Sequence, residues 1–131
     1  MNLIILLLLI LVHIVNCQIS SLQWNALLSI YQDGNGQHWL FTNSSVAWNF
    51  TVTNLLLPCT KWQGIKCNAG GTNISNLVLS SFNVNGILSS SIGVLTSLKV
   101  LNISNNPSLR GSIPASIQLL TSLEILNLRY S

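Results

Sequence analysis

Apolar and polar positions change their spacing three times along this chain. From Leu3 to Val15 the residues are almost all apolar, with His13 the one interruption. From Ser20 to about Gln32 the apolar residues Leu22, Ala26, Leu27 and Ile30 recur at helical spacing, with Trp24 and Tyr31 flanking. Ser20 or Ser21 stands where an N-cap belongs, so a helix is predicted there. From Gln37 to about Thr72 regular spacing fades, and large rings take over: Trp39, Phe41, Trp48, Phe50 and Trp62. From Ile74 onward a longer period appears. "LTSLKVLNISNNPSLRGSIPASIQL" (Leu95 to Leu119) is followed at once by "LTSLEILNLRY" and preceded by a looser copy, "ISNLVLSSFNVNGILSSSIGV".

Leu98 to Leu123, Gly86 to Gly111 and Ile92 to Ile117 are each steps of 25 residues. A fixed period of about 20–29 headed by L-x-x-L-x-L is the leucine-rich-repeat pattern, one short strand and one return segment per layer. The predicted fold is an α/β solenoid. A cap of helix plus disulfide loop opens it, and a short right-handed superhelix with a parallel concave sheet follows. Three segments are expected: a signal peptide over 1–17, a cap over 18–72, and repeats over 73–131, about two complete plus the start of a third.

The apolar segment at Leu3–Val15 is about 13 residues, short of the roughly 18 needed to span a bilayer, and reads as a signal-peptide core cut before Gln18. Cleavage removes Cys17 and leaves Cys59 and Cys67. Two cysteines in a secreted chain favour one disulfide, whereas zinc needs four ligands. Trp62, between them, is expected to pack on the first repeat.

Charged residues are only 5% of the chain, with Asp33 and Glu124 the sole carboxylates and five scattered cations. No basic patch points to nucleic acid. Sequons at Asn43, Asn49, Asn73 and Asn102 offer glycans as the source of surface hydration, Asn43 and Asn49 being the more accessible. "DGNG" (Asp33 to Gly36) fits no calcium-loop register, because His38 and Ser44 or Tyr31 would stand where Gly and acidic ligands are required. It reads as a turn. His38 has no partner for catalysis or metal binding. With no carboxylate pair, no nucleophile motif and no metal cluster, no enzymatic activity and no cofactor are expected.

"NALLSIYQ" (Asn25 to Gln32), Trp48-Asn49 and "PCTKWQGIKC" (Pro58 to Cys67) resemble the N-terminal cap of plant-type extracellular leucine-rich-repeat proteins. Leu98, Leu101, Ile103, Ser104, Asn106, Leu109, Gly111, Ile113 and Pro114 resemble the same family's repeat. Seven residues rather than six separate the cysteines, one extra residue lies between Asn106 and Leu109, and Phe82 replaces the first loop Asn. The aromatic insert and DGNG suggest a relative outside land plants.

The resemblance implies extracellular recognition of a protein, peptide or polysaccharide on the concave face. The membrane enters only if a longer form carries a span. The alternative is a structural glycoprotein of a wall or matrix. Periodicity turns Leu98, Leu101 and Ile103 inward with Ile74, Leu77, Leu79 below and Leu123, Leu126, Leu128 above. Asn106 should turn inward to satisfy loop backbone. Lys99, Val100, Asn102, Ser104, Glu124, Ile125, Asn127, Arg129 and Tyr130 are the expected ligand-facing positions. The chain stops just past the third strand, and the sequence therefore reads as a fragment of a longer receptor-like or secreted protein.

Overall fold

The computed structural model describes residues 2–129. Helix α1 (Leu3–Asn16) is one apolar rod. Its side chains from Leu3 to Leu11 all stand exposed. Among the described residues no helix is long and apolar enough to cross a membrane.

Helix α2 (Ser21–Asp33) starts where Ser20 turns its hydroxyl oxygen to accept the Gln23 amide at 3.2 Å. That bond satisfies one of the donors every helix start leaves open. Its buried face is Gln23, Trp24, Ala26, Leu27 and Ile30. Leu22, expected inside, is 70% exposed, and Trp24, expected on the flank, is buried in its place. The face is rotated because the cap core is aromatic and Trp24 fills it, tilted against Trp62 and edge-on to Phe50. Gln23 is buried for a different reason. Its carboxamide oxygen accepts the Ile74 amide at 2.9 Å while its nitrogen donates to the Thr72 carbonyl at 3.0 Å. This side chain joins the cap helix to the first repeat strand.

The DGNG segment is a turn, with Asn35 left-handed (φ 57°) between α2 and a short 3-10 turn at Gly36–His38. The Gly34 carbonyl accepts from the Trp39 indole at 2.8 Å and from the Asn85 amide at 3.1 Å. The turn therefore seats both the aromatic cap and the flank of the first repeat. Gly86 lies so close to the Asp33 carbonyl that no side chain fits there.

Beyond the cap rings lies helix α3 (Leu57–Thr60), then β1 (Ile65–Cys67). The Cys59 and Cys67 sulfurs are bonded, joining α3 to β1. Strand β1 pairs antiparallel with β2 (Ile74–Val78) and so covers the sheet's first edge. Trp62 lies among Trp24, Trp48 and Phe50, while Trp39 and Phe41 stand edge-on to Phe82 of the first repeat. Tyr31 joins this cluster, and burial pushes its phenol above the usual value.

Strand β2 is followed in parallel by β4 (Val100–Asn102) and β6 (Ile125–Asn127), giving the order β1-β2-β4-β6. A smaller parallel pair, β3 (Gly86–Ile87) and β5 (Leu109–Arg110), lies apart from it. In register, Leu77 faces Leu101 and Leu101 faces Leu126. Ile74, Leu77, Leu79, Leu98, Leu101 and Ile103 are all buried, as the period requires. On the return side, 3-10 turns at Ser90–Val94 and Ala115–Leu119 stack behind α2. Ile92 and Leu120 close the core from there.

Asn106 is fully buried. It accepts from the Val84 amide at 3.0 Å and donates to the carbonyls of Leu79, Ile103 and Ser104 at 2.8, 2.8 and 3.1 Å. Its carboxamide supplies donor and acceptor together where the chain leaves one layer and touches the one below. In the first repeat Phe82 occupies the equivalent place and is buried against cap rings instead, since no repeat lies beneath it.

The concave face as candidate functional site

Three parallel strands hold one side chain in every second position toward the concave face. Backbone pairing sets Asn76 beside Val100 and Ile125, and Val78 beside Asn102 and Asn127. Parallel neighbours lie about 4.8 Å apart, so these rows are nearly rigid. On β4 and β6 the first row is apolar, with Ile125 54% exposed at its outer end, and toward the cap it runs through Asn76 to Lys66 of β1. At its rim Lys99 Nζ and Glu124 Oε1 approach to 3.7 Å with both side chains open to solvent. Such a pair is worth about 0–1 kcal/mol, and its two charges offset each other.

The asparagines of this face share one chemistry. Asn102 Oδ1 accepts from the Ser104 amide at 3.0 Å and the Ser104 hydroxyl at 2.7 Å. Asn127 Oδ1 accepts from the Arg129 amide at 3.1 Å, and Asn76 Oδ1 from the Ser75 hydroxyl at 2.8 Å. Each carboxamide thereby commits its oxygen to a residue one or two places along its own chain. The exposed chemistry is the NH2 end, so the face offers donors beside an apolar row.

Ser104, expected among the ligand-facing residues, is buried. Its hydroxyl also meets Ser80 at 2.9 Å, which makes it a spacer between strand ends and removes it from the binding surface. Arg129 is exposed at the outer strand, whereas Tyr130 lies outside the described residues. The structure thus brings together Lys99, Val100, Asn102, Glu124, Ile125, Asn127 and Arg129.

The four sequons differ. Asn43 and Asn49 stand exposed on cap loops, their side-chain oxygens accepting from Ser45 and Thr51. Asn73 is half-buried, and its carboxamide touches Gln23 and Thr72. Asn102 points from the middle of the concave sheet. Among the described residues no three of His, Cys, Asp and Glu come together as a metal site would require.

An apolar cavity of about 230 Å³, not foreseen from the sequence, lies between Leu88, Ile103, Leu109, Ile113 and Leu128. It is smaller than the roughly 300 Å³ at which small-molecule pockets begin. The signal for it was the column of leucines and isoleucines itself, whose outermost described layer lines the cavity.

No known family model matches the chain. A curated protein of Arabidopsis thaliana, named as a leucine-rich repeat receptor-like serine/threonine-protein kinase, is 34% identical over 68 residues, covering 52% of this chain and 6% of that protein. The leucine-rich-repeat ectodomain of the receptor kinase SOBIR1 from Arabidopsis thaliana superposes with a TM-score of 0.63 at 27% identity, over 86% of this chain and 55% of that one. The BIR2 ectodomain from the same plant gives 0.61 at 25% identity, over 80% and 53%. A plant ice-binding protein shares the fold alone, with a TM-score of 0.66 at 22% identity, over 85% and 33%. The chain therefore spans a small part of the curated relative and about half of the two receptor ectodomains. In sequence and in fold it is similar to plant-type extracellular leucine-rich-repeat proteins, and its architecture is the leucine-rich-repeat solenoid.

Proposed function

We propose that the chain is a secreted or cell-surface recognition module that binds a protein or peptide on its concave face and catalyses no reaction. The observation carrying this reading is the Val100–Ile125 row, apolar and partly open, set between the self-neutralised Lys99–Glu124 pair and the Asn102 and Asn127 amide donors. Outward amides suit the carbonyls of an extended peptide, and the row suits one of its apolar side chains. A polysaccharide fits less well. Sugar faces stack on open aromatic rings, yet all four tryptophans are buried in the cap.

Export is supported by α1, an apolar rod whose described side chains gain no burial from the folded domain. Export would also place Asn43 and Asn49 where glycans can hydrate a surface poor in charge. Binding is tested with the secreted chain and extracellular fluid of its source. The partner captured should be lost on Val100→Arg with Ile125→Arg and kept on the opposite-face change Leu22→Arg. Equal capture by both variants would refute concave binding.

A matrix role is favoured by one feature, the Asn102 sequon in the middle of that face. Glycopeptide mapping separates the readings: a glycan at Asn102 would cover the binding row, and an unmodified Asn102 leaves it open.

A further inference from the structure

We infer that the mature chain begins with pyroglutamate formed from Gln18, an inference that rests on the proposed cleavage after Cys17. Two glutamines lie near the junction, and the structure treats them oppositely. Gln23 is locked by the Ile74 amide and the Thr72 carbonyl. Gln18 is half-exposed, and its carboxamide makes no hydrogen bond among the described residues. The next residue, Ile19, is 1% exposed, and its amide donates to the Leu55 carbonyl at 3.3 Å. The fold thus anchors the chain one residue after the cut and leaves Gln18 at the surface with both reacting groups accessible.

The chemistry needs only what cleavage supplies. The new α-amine of Gln18 attacks its own side-chain Cδ, a C–N bond closes a γ-lactam, the C–NH2 bond breaks, and ammonia leaves carrying a proton from the amine. Nothing is oxidised or reduced. An α-amine titrates near about 8, so a nucleophilic fraction exists at neutral pH.

The surroundings favour the product. Ser20 caps α2 two residues later, and the open amides of a helix start repel a cation. An ammonium on Gln18 would sit at that positive end. The lactam is neutral there and also denies aminopeptidases a free terminus next to the buried Ile19 anchor.

The test is terminal analysis of the secreted chain. Its mass should be one ammonia below that of the chain from Gln18, and stepwise degradation from the N-terminus should be blocked. Pyroglutamyl aminopeptidase should then expose Ile19-Ser20-Ser21. The secreted Gln18→Asn variant, whose shorter side chain would close only a strained ring, should be open to stepwise degradation and yield asparagine in the first cycle. A free Gln18 amine in the native chain would overturn this inference and leave the export reading standing. A product cut elsewhere would overturn this inference alone, and a chain that keeps α1 and stays in the cell would overturn both.

Discussion

Asn106 shows how much one side chain can hold in this architecture. Four hydrogen bonds tie it to two layers, and no solvent reaches it. Replacing it with leucine, of similar size, leaves the buried Val84 amide without its acceptor, worth about 1–3 kcal/mol by itself, and takes a donor from three carbonyls as well. Asn106→Leu should cost about 3 kcal/mol or more in urea unfolding, and a loss below about 1 kcal/mol would deny it this role. Its place was legible in the sequence because a donor-and-acceptor amide is needed where the strand ends. The depth of Ser104 was not. Strand alternation tells which face a residue points to, but only its neighbour Ser80 shows that the hydroxyl is closed over. Backbone conformation was equally hidden at Ser81, which holds φ 61° where the next repeat has Asn105 at 57°. Serine is strained in that region and glycine is not. Ser81→Gly should therefore raise stability by about 0.5 kcal/mol, read as a higher denaturation midpoint with unchanged slope.

At the scale of elements, periodicity located α2 and the repeat strands, and residue chemistry decided how they dock. The helical pattern of Leu22, Ala26, Leu27 and Ile30 was right about the element and wrong about its face. A helical period does not say that a tryptophan will outcompete a leucine for an aromatic core. Strand β1 was invisible because three residues, "IKC", carry no period of their own. It exists because the disulfide fixes Cys67 against α3 while β2 offers an open edge. The loop closed by Cys59 and Cys67 is short, and the chain-entropy account gives about 2–3 kcal/mol for it. The Cys59→Ser, Cys67→Ser pair should lose about that amount and also loosen Ile65–Cys67. Faster amide exchange confined to β1 and its partners on β2 is the expected mark. Unchanged exchange there would mean that hydrogen bonding alone holds the strand.

The whole molecule is a closed aromatic cap at one end and a stack of apolar layers at the other. The layers were legible because each inward leucine recurs after one repeat, and stacking makes the columns continuous. Their solidity is what makes the face usable: Leu101, fully buried between two strands, should cost about 2–5 kcal/mol on change to alanine, while concave substitutions should not disturb folding. That separation allows a decisive binding experiment. The open part of the face is a few side chains on three strands, less than the roughly 800 Å² per partner of a standard interface. Binding by this chain should therefore be weak, about micromolar or worse. It should respond to the apolar row before the charged rim. Ile125→Asp sets a carboxylate in the exposed row and beside Glu124, and should weaken binding at least about tenfold with an unchanged unfolding midpoint. Lys99→Ala removes half of an exposed, screened ion pair and should change affinity by less than about fivefold. The reverse order, with the rim dominant and the row indifferent, would mean that the ligand is read by charge and that the amide-flanked apolar row is not its seat.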